Sequence, residues 1–185
     1  IGESCFENCA DLVTVKGLGE SAVTEIAQNA FYGCSSLDTV VVPDTVTKIN
    51  ANAFAKAAVA KITFNDETKI IYIGDGAFYD CGSLSAVDIG TSINGIGSVA
   101  FYGTNIWNDA ENVVYIGTDN GRYAVGCKNS ALTGIYSNNT SSDPNGLVWK
   151  PNVLGIANRA FMIYDPNTQL FSGHPSLRAV ALDDT

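Results

Sequence analysis

The sequence offers little to a catalyst. It has one histidine, His174, so any Cys–His or Ser–His pair would have to be built around it. His174 stands beside Pro175 near the end of the chain, where a structural or exposed role is the better reading. Cations are scarce too: ten Lys and Arg face nineteen Asp and Glu, a formal charge of -9. Such a surface repels phosphate backbones and anionic lipid alike, which excludes nucleic acid as a partner and argues against docking on a membrane. The acidic residues are dispersed rather than run together, as on a solvated face. No window reaches the eighteen apolar residues of a membrane span, and no basic-then-apolar start resembles a signal peptide. The chain begins at Ile1, without Met and in phase with its internal pattern, and is expected to be a mature product or a fragment.

What the sequence does have is a repeat. Ile1, Ile26, Ile49, Ile73, Ile96 and Ile156 are each followed five residues later by Phe6, Phe31, Phe54, Phe78, Phe101 and Phe161. The spacings are 25, 23, 24, 23 and then 60 residues. A fixed period in the low twenties marks a solenoid, in which each coil can bury its apolar side only against its neighbours. The fullest unit is Ile26 to Pro43, with Ala30-Phe31, then Cys34, Leu37 and Val40 at intervals of three.

Each unit holds two extended segments. The main strand is Thr39-Val40-Val41-Val42, repeated as Thr14 to Lys16, Lys61 to Phe64, Ala86 to Ile89 and Ala179 to Leu182. Alternation sends Val40 and Val42 inward and Thr39 and Val41 outward. A shorter segment, Val23-x-x-Ile26 and its equivalents, precedes each Ala-Phe. The Ala-Phe-x-x-Cys segment between them reads as a single helical or 3-10 turn on the opposite side.

After Ile106 the period breaks, and residues 107 to 150 are expected to be an insertion. Val113 to Ile116 and Arg122 to Val125 flank Asn120-Gly121, a pair suited to a type I′ hairpin turn. Leu132-x-x-Ile135 reads as a degenerate coil, and Leu147 to Lys150 as the main strand returning. A second, shorter insertion spans Met162 to Leu170.

The unit Ile73 to Ile89, with Ala77-Phe78-x-x-Cys81-x-x-Leu84-x-x-Val87, resembles the BspA-like, or Treponema-type, leucine-rich repeats. Five clear copies and one interrupted copy cover about two-thirds of the chain. The resemblance implies a right-handed, β-dominated α/β solenoid with a parallel sheet on one face and short turns opposite, here a single domain over residues 1 to 185. It also implies secreted or surface-anchored bacterial proteins that bind proteins or cells and are not enzymes. That family has no fixed site residues to carry over. Ala57, Thr104 and His174 depart from its pattern at the Cys position.

The remaining chemical signals are weak. Cys9, Cys34 and Cys81 share one repeat column, where small thiols pack as hydrophobes. Cys34 and Cys81 are two coils apart, roughly 10 Å, beyond disulfide reach. Cys9 and Cys34, on adjacent coils, could be bridged, and Cys127 fits no pairing pattern. Gly95-x-Gly97-x-x-Ala100 matches a dinucleotide fingerprint as a string, but the repeat already accounts for Ile96 and Ala100. Asn138-x-Thr140 and Asn139-x-Ser141 match glycosylation acceptors, and Asp183-Asp184 is too small a cluster for calcium. No cofactor or metal is expected.

The reading that follows is a non-enzymatic extracellular recognition module, secreted or on a cell surface, that binds a protein or glycan. The alternatives are a spacer in a longer repeat array or an accessory domain of a secreted enzyme. Because stacking constrains the repeats, the insertion is the expected binding segment. Its rigid aromatics suit a binding hot spot: Trp107, Tyr115, Tyr123, Tyr136 and Trp149, with Arg122. Arg122 and Tyr123 are expected to be exposed beside the turn, and residues 113 to 125 to be removable without unfolding the solenoid.

Overall fold

The computed structural model describes residues 1–16, 22–43, 45–64, 70, 72–87, 93–118, 121–128, 134–136, 146–148, 153–173 and 179–180. Two sets of parallel strands run along the repeats. The short segments ending in the repeat Ile form β1 (Glu25–Ile26), β3 (Lys48–Ile49), β5 (Tyr72–Ile73) and β6 (Gly95–Ile96), paired in that order. The main strands β2 (Thr39–Val42) and β4 (Lys61–Phe64) pair in register, and a bridge from Thr14 to Thr39 ties in the first coil. In β2 the alternation is as expected: Val40 and Val42 are buried, and Val41 is 42% exposed. Ala86 and Val87 extend past Leu84 without forming a regular strand, although Val87 is buried.

The phenylalanines explain the period. Phe6, Phe31, Phe54, Phe78 and Phe101 stack face to face along the axis, with centroids 5.3, 5.2, 5.5 and 5.2 Å apart. The last four are fully buried. Beside them the backbones are hydrogen-bonded from coil to coil. The Phe31 N–H donates to Ala53 O, Phe54 to Ala77 O and Phe78 to Ala100 O, each at 2.8 Å. Ala precedes the four buried Phe because a larger side chain would not fit at this close approach: Ala30, Ala53, Ala77 and Ala100 are all buried, whereas Cys5, before Phe6 in the first coil, is exposed.

The turns opposite the sheet close from residue i to i+3, as Tyr32 N–H to Asn29 O and Cys34 N–H to Phe31 O. Their backbone alternates in hand, unlike a helical turn. Three residues after each Ile the φ is positive: Ser4, Asn29, Asn52, Gly76, Val99 and Arg159. Two residues after each of the five stacked Phe it is positive again, at Asn8, Gly33, Lys56, Asp80 and Gly103. The alternation points successive N–H groups along the axis, toward the carbonyls of the next coil. Asn, Asp and Gly tolerate this conformation, and a β-branched residue such as Val99 does so at a cost.

Thr104 stands in the Cys column and begins the departure. Its buried hydroxyl donates to Phe101 O at 2.7 Å and accepts from the Trp107 N–H at 3.1 Å. It thereby caps α1 (Asn105–Asp109), the one helix among the described residues. The expected hairpin follows as β7 (Val113–Thr118) and β8 (Gly121–Cys127), antiparallel. The ladder reaches Thr118 and Gly121, so Gly121 belongs to the strand rather than the turn. The connection itself lies outside the described residues.

This hairpin is not a free ribbon. The Gly117 N–H donates to Val87 O at 3.1 Å, so β7 lies where the next main strand would run. Val114, Ile116, Tyr123 and Val125 join the central core. On its other edge β8 pairs in parallel with β11 (Val153–Ile156). The coil of Ile156 stacks back on the repeat, where Asn158 N–H donates to Ile96 O at 2.8 Å. The segment is therefore a built-in part of the core, and the expectation that residues 113 to 125 can be removed without unfolding is revised.

Further on, β9 (Gly134–Tyr136) lies between β10 (Gly146–Val148) and β14 (Ala179–Val180), all parallel. Ile135 and Leu147 thus fall in strands, as their patterns suggest. The second insertion is an antiparallel hairpin, β12 (Met162–Asp165) and β13 (Leu170–Gly173). His174, Asn138, Asn139, Asp183 and Asp184 lie outside the described residues.

Candidate functional site

The residues expected to meet a partner from the first insertion are mostly committed to packing. Arg122 is 8% exposed and Tyr123 3%, which corrects the expectation that both stand free at the hairpin tip. The reason is topological: β8 is the central strand between β7 and β11, covered on both edges. The Tyr123 hydroxyl reaches another coil and accepts from the Ile93 N–H at 3.2 Å. Trp107 is half-buried, with its ring against the backbone of Gly126, where a Cβ would lie 2.0 Å from the indole. Tyr115 is half-buried and packs on Val113, Ala124 and Cys127. It also borders a 210 Å³ hollow beside Ala86 and Val87. Tyr136 lies in β9, and Trp149 is outside the described residues.

All five cysteines are free thiols. Cys34 and Cys81 are buried, and each thiol donates to the carbonyl of a Phe one coil back: Cys34 to Phe6 O at 3.0 Å and Cys81 to Phe54 O at 2.9 Å. Burial pushes the Cys81 thiol up to about 12 and raises Cys34 as well. Such thiols are poor nucleophiles and poor metal ligands. Cys127 is also buried, packed with Val113 and Ala124. The dinucleotide-like string has a packing explanation. A Cβ at Gly97 would fall 2.3 Å from the Asp75 backbone nitrogen, so glycine is needed where the two coils touch.

The exposed chemistry lies on the turn face instead, where β12 and β13 fold over the repeats. The tyrosines that follow Phe31, Phe78 and Phe101 are half-buried there, while Ala55 after Phe54 is buried. Tyr79 and Tyr102 stack at 5.6 Å, and Tyr164 from β12 meets both edge-on, at 6.2 and 5.0 Å. Trp107 leans on Tyr102 at 4.9 Å, and Phe171 on Tyr164 at 5.1 Å. Arg159 covers the Phe171 ring at 4.8 Å, and Lys56 the Tyr32 ring at 5.5 Å. Burial, then a hydrogen bond with Tyr164, holds the Tyr79 phenol above its ordinary value. Burial raises Tyr102 too. These rings are half-buried rather than sealed, so they form a surface patch.

A cleft of about 270 Å³ opens at the edge of this patch, between Tyr32, Tyr79 and Tyr164. The sequence signal for it is the tyrosine at Phe plus one. The signal is broken in this chain by Ala55 and completed only by the distant Tyr164.

The stacked Phe column, the coil-to-coil ladder and the Cys column together describe the repeat fully, and the profile of the BspA type leucine rich repeat region matches it in 6 copies over residues 1–117. The chain belongs to the BspA-type leucine-rich repeat family. Among solved structures, this BspA-type protein is similar to a leucine-rich repeat protein of T. pallidum, at 23% identity and a TM-score of 0.54. The match covers 87% of this chain and 67% of that one. It is also similar to a leucine rich cell surface protein of Faecalibacterium prausnitzii A2-165, at 22% identity and a TM-score of 0.54. That match covers 98% of this chain and 50% of the other, so the BspA-type chain spans half of its length. No curated protein matches the chain. At these identities the structural likeness speaks to the fold. Among the described residues no helix is long and apolar enough to cross a membrane.

Proposed function

We propose that this BspA-type chain is a non-enzymatic recognition module that works at the bacterial surface or after secretion, binding a protein or glycan outside the cell. The observation that carries this reading is the half-buried aromatic patch of Tyr79, Tyr102, Trp107, Tyr164 and Phe171. Rings that only completed a core would be covered, whereas these share contacts with one another and keep an open side. Tyrosine and tryptophan supply large contact area at little cost in side-chain entropy, with a polar group at the edge. The stacked coils below hold them rigidly, which lowers the entropy lost on binding. The first insertion then serves as a brace that anchors Trp107 through Gly126, while the second insertion contributes the outer rings.

The test is a binding screen of the folded chain against matrix proteins, host cells and glycans, repeated with Tyr102→Ala and Tyr164→Ala. Binding that both substitutions weaken supports the assignment. Binding unaffected by either moves the site to the main-strand face, around Thr39 and Val41. A chain that binds nothing in the screen leaves no support for a recognition role.

A further inference from the structure

We propose that the cleft between Tyr32 and Tyr79 is a sugar-binding site that takes one pyranose ring of a glycan. This deepens the recognition role proposed above and rests on it. The residues after Phe31, Phe54, Phe78 and Phe101 read Tyr32, Ala55, Tyr79, Tyr102, and Ala55, itself buried, is the one without a ring. Tyr79 and Tyr102, on successive coils, stack at 5.6 Å. Between Tyr32 and Tyr79 there are two coil steps and no ring, because Ala55 supplies only a methyl group. The missing ring leaves the cavity of about 270 Å³, with Ala55 at its base.

The lining matches the chemistry of a pyranose. A sugar ring has one face of C–H groups, which packs on an aromatic ring, and a rim of hydroxyls that both donate and accept. Tyr32, Tyr79 and Tyr164 line the cleft and supply its aromatic surface, with Lys56 over the Tyr32 ring. Asn52, Asp75 and Gln169 provide amide and carboxylate groups of the two kinds that hydroxyls pair with.

The Asp75 carboxylate and the backbone at Gln169 are already held in place. Asp75 Oδ1 accepts from the Ser98 N–H at 2.6 Å, while the residue stays exposed. Gln169 ends the tight turn of the β12–β13 hairpin, and its N–H donates to Asp165 O at 2.8 Å. The Asp165 carboxylate in turn accepts from the Asn167 N–H and the Thr168 hydroxyl, each at 2.9 Å. A site held this way spends little on ordering when it binds.

Other occupants fit less well. An apolar side chain of a protein partner would strip water from Asn52, Asp75 and Gln169 and give them nothing in return. An anion would find one cation, Lys56, set against Asp75 and Asp80. A cation would compete with Lys56, which already stands over the Tyr32 ring.

The experiment is saturation-transfer NMR on the whole chain with glucose, galactose, mannose, N-acetylglucosamine and their disaccharides. It compares the parent with Ala55→Tyr, which restores the ring column, and Tyr164→Ala, which removes a wall. At least one pyranoside should receive saturation on its ring protons from the parent. Its affinity should fall about tenfold or more in either variant, with the circular dichroism spectrum unchanged. If Ala55→Tyr does not fold, Tyr164→Ala decides alone. The inference is overturned if no sugar receives saturation, or if the folded variants receive it as strongly as the parent. Capture of a matrix protein without any sugar transfer overturns the sugar site alone and leaves the recognition role standing. If neither protein nor sugar binds, both readings fall.

Discussion

At the scale of single residues, the repeat columns make different demands. Phe78 lies between Phe54 and Phe101 with no exposed surface, so Phe78→Ala opens a void that neighbouring rings, held by their own coils, cannot close. Urea unfolding should register a loss of about 3–5 kcal/mol; a change below ~1 kcal/mol would show that the stack is not what holds the coils together. Val99 makes the opposite case. It occupies the positive-φ column at +50°, where other coils place Ser4, Asn29, Asn52, Gly76 and Arg159. A β-branched residue there is strained, so Val99→Asn should stabilise the chain by about 1 kcal/mol, read as a higher urea midpoint. The thiols follow their exposure. In the native protein, Cys5 and Cys9 should react readily with a thiol reagent, while Cys34, Cys81 and Cys127 react only on unfolding. Fast labelling of Cys81 would contradict both its burial and its raised pKa.

At the scale of elements, what could be read from sequence depended on whether a partner lay one period away. The repeats were legible because the Phe54 ring stacks on its counterparts Phe31 and Phe78, which the sequence repeats in plain view. The hairpin was legible as well, since its turn and alternation are local. Its burial was not, because that depends on β11, some thirty residues further on, docking against Arg122 to Ala124. Nor was the aromatic patch, which needs Tyr164 to cross from the second insertion to Tyr79 and Tyr102. One clue was local after all: Thr104 broke the Cys column where α1 begins, and a hydroxyl there is a cap signal. The burial has a direct consequence. Replacing residues 113 to 125 with a Gly-Ser link removes Val114, Ile116, Tyr123 and Val125 from the core. The loss is on the order of 5–10 kcal/mol, comparable to the whole stability of a domain. Thermal unfolding of that variant should lose its cooperative transition. A sharp transition at the parent temperature would mean that the hairpin is an appendage.

At the scale of the whole molecule, the regular coils are a stack in which each is bonded to the next, with the β12–β13 hairpin laid across two of them, so the stability of the repeats is close to a sum of coil and interface terms. The bonds from Phe31 to Ala53, Phe54 to Ala77 and Phe78 to Ala100 all run along the axis. This arrangement decides how the stack yields to a pull. Tension applied at the two ends loads those bonds lengthwise, at the outermost interface first, so coils should peel away singly rather than shear together. Each repeat released is 23 to 25 residues of chain, about 80 Å when drawn straight. A single-molecule pulling trace should therefore climb as a sawtooth of nearly equal steps of that length over the regular coils. The braced region after Ile106 should give way in one larger event, because β7, β8 and β11 hold it crosswise. Such a stack should lengthen under load in stages, while the coils not yet reached keep their shape.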